Sequence, residues 1–188
     1  MVSRVLTTVS RRDSVKRAGL ALALLAALPF VAGAAWAAVT AKDIQVAARS
    51  IAFMQNPPTG AVRAVVVFEA GNADSKAAAE VVAAQVADNP KAGKATLEPV
   101  VAAADSVAGA AVVFIPDGLS AAASDKAGAA AKAAGIPTIG FGETCVRAGH
   151  CVVGISTTPK VTILINKAAA ASAGIGFSAA FLMMVQEV

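Results

Sequence analysis

Tyrosine is absent from the 188-residue chain, tryptophan and histidine occur once each, and cysteine occurs twice. With so few flat side chains, the stacking platforms that hold single-stranded nucleic acid are missing. Sequence signatures of common chemistry are missing too. The chain contains no G-x-S-x-G nucleophile elbow, no G-x-G-x-x-G and no phosphate-binding G-x-x-x-x-G-K-[ST] loop. Its acids stand singly, at Asp74, Glu80, Asp105, Asp117, Asp125 and Glu143, with no pair spaced for general acid and base work. Nothing supports a hydrolase, and no cofactor is called for.

Alanine is what the chain has in place of these. It occurs 49 times, and it accounts for much of the 57% hydrophobic fraction. Because alanine is weakly apolar and a strong helix former, this composition describes a globular domain better than a membrane-embedded one. The net charge of +4 is equally local. Residues 1–37 carry five cations (Arg4, Arg11, Arg12, Lys16, Arg17) against Asp13, whereas residues 38–188 carry eleven cations and eleven anions. Without a net positive field, residues 38–188 lack the phosphate-binding term as well, so nucleic acid is excluded as a partner.

Those first 37 residues read as an export leader. A basic segment precedes an apolar run over residues 18–28, and Ala35-Trp36-Ala37 follows as a small-x-small cleavage site. Ser10-Arg11-Arg12-Asp13-Ser14-Val15-Lys16 is similar to the twin-arginine export motif but lacks the usual aromatic and leucine at Ser14 and Val15, so the general secretory route stays open. Cleavage after Ala37 places the mature chain, residues 38–188, in the periplasm. A second uncharged run, residues 168–185, is dominated at first by alanine, glycine and serine, and reads as a core helix at the chain end, not a membrane span.

Along residues 38–188, Ile44, Ala47, Ala48 and Ile51 mark a helix over 41–54, which Asn56-Pro57-Pro58 stops. The β-branched run 62–68 has the form of a strand covered on both faces. A helix capped by Ser75 is expected to Asp88, with Ala78, Val81, Val82 and Val86 inward. Strands follow at 96–101, where Pro99 marks an edge, at 111–115 and at 136–141. The helix between the last two spans 120–134, with Gly135 at its end. Residues 151–155 and 160–165 form a hairpin, Asn166 caps a short helix to Ala173, and a last helix spans 178–186. Strands alternating with helices predict one α/β sandwich with a mostly parallel sheet, flanking helices and a C-terminal antiparallel hairpin. Gly71-Asn72-Ala73-Asp74-Ser75 joins a strand end to a helix start, a place where such sheets often bind ligands or anions.

Both cysteines and the only histidine fall in Glu143-Thr144-Cys145-Val146-Arg147-Ala148-Gly149-His150-Cys151. Three readings stay open. In an exported protein Cys145 and Cys151 form a disulfide, whose seven-residue loop is worth about 2–2.5 kcal/mol on the chain-entropy estimate. Cys145, His150 and Cys151 could instead ligate a metal, although the fourth ligand is missing and adjacent His-Cys is poor tetrahedral spacing. Reversible thiols reporting redox state are the third.

From residue 136 onward the chain resembles the YfiR/HmsC family. The likeness is carried by Ile136-Pro137-Thr138-Ile139-Gly140, Arg147-Ala148-Gly149, Val161 through Ile165-Asn166, Ala173-Gly174-Ile175, and Ser178 through Leu182. The helix ending in Asn56-Pro57-Pro58 and the strand 62–68 stand in the family's order. The chain departs from the pattern at His150, where a second glycine is usual, and in its first helix, whose one aromatic is Phe53. The resemblance implies a compact periplasmic α/β domain without enzymatic activity, supported by disulfide bonding. It implies an inner-membrane sensor as partner, a diguanylate cyclase restrained through its periplasmic region, and so a place in cyclic-di-GMP signalling. A homodimer and a small ligand of unidentified chemistry are compatible with it. Ile136-Pro137-Thr138-Ile139-Gly140-Phe141 with Val146-Arg147-Ala148-Gly149 also resembles periplasmic substrate-binding proteins, so a small-molecule binding protein of the transporter type is the alternative.

Overall fold

A computed structural model describes residues 38–188; the expected leader, residues 1–37, lies outside the described residues. Eight strands form one sheet: β1 (Gly60–Phe68), β2 (Lys91–Ala92), β3 (Ala95–Ala103), β4 (Val112–Ile115), β5 (Thr138–Phe141), β6 (Val153–Ser156), β7 (Thr162–Ile165) and β8 (Gln186–Glu187). Their spatial order is β2-β3-β1-β4-β5-β6-β7-β8. The pairs β3–β1, β1–β4, β4–β5, β5–β6 and β7–β8 run parallel, while β2–β3 and the β6–β7 hairpin run antiparallel. Six helices accompany them: α1 (Ala41–Ala52), α2 (Ala73–Asp88), α3 (Ala121–Ala133), α4 (Thr144–Arg147), α5 (Lys167–Ser172) and α6 (Ala179–Leu182). This is the mostly parallel α/β sheet with a C-terminal antiparallel pair that the alternating pattern predicts.

The apolar strands are unbroken because both of their faces are covered. Ala64, Val66, Val112 and Phe114 point into one core with Ile44, Ile51, Val82 and Val86 of α1 and α2. Val65, Val67, Val113 and Ile115 point into another, against Ala123, Ala127 and Ala131 of α3. Alternation along each strand therefore divides one run of residues between two cores. The connection from β3 to β4 crosses β1 without a helix. Its Ala104 and Val107 lie in the second core, and the Arg63 guanidinium ties it down by donating to the Ala108 carbonyl at 2.9 Å.

Several local expectations shift. Asn72, not Ser75, caps α2, accepting from the Ser75 N–H at 3.0 Å. Ser75 Oγ accepts instead from the Glu69 N–H at 2.9 Å. The buried stripe of α2 is Ser75, Ala79, Val82 and Val86, leaving Val81 51% exposed. Those four follow i, i+4, i+7, i+11 spacing, and Val81 is turned about 100° away from Val82. Around Pro99 β3 is an edge, because β2 reaches only Ala95 and Thr96. The uncharged C-terminal run is no single helix. Gly174 ends α5 and α6 stops at Leu182, so that Gln186 and Glu187 can pair with Leu164 and Ile165 along the open flank of β7. Among the described residues no helix is long and apolar enough to cross a membrane.

Phe114 is fully buried in mid-sheet and stacks on Phe141 with ring centroids 6.1 Å apart. Phe114→Ala is expected to cost about 3–5 kcal/mol of folding stability. Equilibrium urea unfolding checks this, by a lower midpoint at an unchanged slope.

Candidate ligand cleft at the C-terminal edge of the sheet

Because β3 and β4 flank β1 on opposite sides, the chain reverses its winding at the C-terminal end of β1, where doubly wound sheets take ligands. Here the chain's own Glu69 occupies that position. Its carboxylate accepts from the Ser120 hydroxyl at 2.8 Å and from the Ser120 N–H, at the start of α3, at 3.1 Å. Those Ser120 hydrogen bonds, foremost the hydroxyl's, hold the Glu69 carboxyl below its usual range. The loop 71–75, a candidate anion position by sequence, thus opens beside a fixed carboxylate whose negative charge disfavours an anion there.

One strand further along, Cys145 and Cys151 are joined in a disulfide with their Cα atoms 5.3 Å apart. Both sulfurs are therefore consumed, which removes the thiolate ligands that the metal reading with His150 requires. Nor do three or more His, Cys, Asp or Glu side chains gather as a metal site among the described residues. His150 Nδ1 faces Asp125 Oδ1 at 3.4 Å. The disulfide loop contains α4, a turn of helix the sequence reading did not anticipate. It packs where neighbouring elements have no side chain. A Cβ on Gly140 of β5 would lie 2.8 Å from Cys151 Sγ, one on Gly128 of α3 2.6 Å from the His150 carbonyl, and one on Gly154 of β6 2.5 Å from Val146 Cγ1.

The residues carrying the family resemblance act as junctions around this loop. Asn166 Oδ1 accepts from the Ala169 N–H at 2.8 Å to cap α5, while its Nδ2 donates to the Val146 carbonyl in α4 at 2.9 Å. Ile165 is buried in the sheet, Ala173 is the buried C-cap of α5, and Gly174 follows in the left-handed conformation. Gly149 turns the chain out of α4 with φ of 81°. Ser178 caps α6, and its N–H donates to the Phe53 carbonyl at 2.9 Å, joining the C-terminus to the end of α1.

Between the disulfide loop and the β4–α3 connection lies a cleft of ≈ 440 Å³, lined by Ile115, Asp117, Leu119, Phe141, Thr144 and Cys145 among others. A smaller one of ≈ 130 Å³ adjoins Asp43 and Thr157, and Asp117, Phe141 and Gly142 border both. Burial pushes the Asp43 carboxyl up, but hydrogen bonds from Thr40 and Thr157 outweigh it and hold the group below its usual range. Asp117 is the contrasting acid: burial raises its pKa, and no donor among the described residues offsets the cost. In the sequence Asp117 is one of several acids that stand singly. The signal that distinguishes it is its place two residues after an unbroken buried strand, Val112–Ile115.

No family model matches this chain, and no curated protein matches it. Solved structures do. A conserved domain protein from Vibrio cholerae superposes with a TM-score of 0.57 at 16% identity, covering 78% of this chain and 59% of that one. An ABC domain in complex with L-Trp from Streptococcus pneumonia superposes with a TM-score of 0.52 at 12% identity, covering 79% of this chain and 60% of that one. The chain thus spans about three fifths of the length of either neighbour. At such identities the likeness establishes the fold alone.

The opposed pKa directions give a pH test. Asp117 has a raised pKa, so its ionisation opposes folding at neutral pH and stops doing so below its unfolded value of 3.8. Asp117→Asn is expected to raise the melting temperature at pH 7, and the gain should vanish near pH 3. Thermal unfolding of both proteins across that range checks it.

Proposed function

We propose that this chain is a non-enzymatic periplasmic regulatory protein that works by binding, and that its partner is the periplasmic sensor region of an inner-membrane diguanylate cyclase. One observation supports this above the others. Residues that resemble the YfiR/HmsC family, dispersed from Gly149 to Ser178, supply two junctions: Asn166 ties α5 to the disulfide loop, and Ser178 ties α6 to the end of α1. The disulfide and the leader preceding it agree with an oxidising compartment outside the cytoplasm. Apolar surface is open for a partner next to these junctions: Phe53 is 39% exposed, Met183 84% and Met184 67%.

A second reading, a small-molecule binding protein, is favoured by the cleft beside Asp117 and by the L-Trp-bound neighbour. Glu69 weighs against the version of it in which a carboxylate ligand sits at the start of α3, because the Ser120 donors there are already taken.

Deleting the gene should raise cellular cyclic-di-GMP and surface attachment, and re-expression of the wild-type chain should restore both. Unchanged cyclic-di-GMP in the deletion strain contradicts the regulatory reading.

A further inference from the structure

Asp117 stands where the two clefts meet, and neither cleft is lined by a lysine or arginine. Arg147 of the disulfide loop pairs with Glu143 at 2.8 Å, and Lys126 of α3 with Asp105 at 2.8 Å. His150, at the rim, faces Asp125. Among the described residues, no donor reaches the Asp117 carboxylate, although Asp43, Glu69 and Asp105 each have one. Beside it the larger cleft offers apolar surface from Ile115, Leu119, Phe141 and the disulfide, with the Ser124 and Thr144 hydroxyls also in its lining. A half-buried carboxylate with no partner among the described residues, bordering an apolar cleft large enough for a small molecule, is a receptor for a desolvated cation.

We propose that this cleft binds a small organic cation, its ammonium on the Asp117 carboxylate and its apolar remainder against Phe141, Leu119 and the Cys145–Cys151 bridge. Anionic ligands meet the repulsion of Asp117, and neutral analogues leave its carboxylate unpaired. This inference stands apart from the partner reading, because protein purified from the periplasm tests it without any partner present.

The test is calorimetric titration of that protein with three probes of one shape: 2-phenylethylamine (a cation), 2-phenylethanol (neutral) and phenylacetate (an anion). The amine should bind at least about tenfold more tightly than the alcohol, as expected for a charge-assisted contact, and phenylacetate should not bind. Asp117→Asn, shown by circular dichroism to be folded, should bring the amine down to the level of the alcohol. Ala121→Phe, which fills the cleft from α3, should weaken both. Equal affinity for amine and alcohol, unchanged amine binding in Asp117→Asn, or no amine binding by the folded wild type at millimolar concentration overturns the proposal.

Discussion

The seating of the Cys145–Cys151 loop on three glycines is the constraint around which the C-terminal half of this domain is arranged. The loop covers the ends of β5 and β6 and the flank of α3, and at Gly128, Gly140 and Gly154 it comes closer than a methyl group allows. The disulfide removes conformations from the unfolded loop, and the glycines let the closed loop reach the sheet. Asn166 then fastens it from the opposite side by holding the Val146 carbonyl. Thr144, Cys145 and Ala148 of this wall line the cleft beside Asp117 together with Phe141.

Electrostatics at the edge of the sheet separates two carboxylates that look alike in the sequence. Glu69 and Asp117 both follow strands of buried valine, and both lie near the start of α3. Glu69 finds the hydroxyl and amide of Ser120 and is stabilised as an anion. Asp117 reaches no donor among the described residues and bears the cost of partial burial. The first closes the position where related sheets accept anions, while the second leaves one of opposite preference open beside it.

Much of the fold was legible in the sequence because local and long-range signals agree there. The strands β1 and β4 announce two-sided burial through unbroken β-branched runs. Ser120 with Gly135 bounds α3, and Asn166 with Gly174 bounds α5, through cap chemistry that is local by nature. Reading failed where tertiary packing decides. An alanine-rich helix such as α2 has little contrast between its faces, so a one-residue error in its buried stripe followed. The short β8 exists only because β7 has an open flank, and no local propensity encodes that. The disulfide followed from spacing and compartment, but its three glycine seats belong to separate elements and no motif connects them. Asp117 was visible as a residue and invisible as a site, since lack of a partner is a property of the folded neighbourhood.

If the seated loop governs this half of the domain, Gly140→Ala and the disulfide must be energetically coupled. The decisive measurement is a double-mutant cycle by urea unfolding, combining Gly140→Ala with the paired change of Cys145 and Cys151 to alanine. In the wild-type background Gly140→Ala is expected to cost about 1–3 kcal/mol, the range for overpacking a filled site. Without the disulfide that cost should fall to less than about half, because both sulfurs are gone and the loop is free to lift. Equal costs in the two backgrounds would contradict the account.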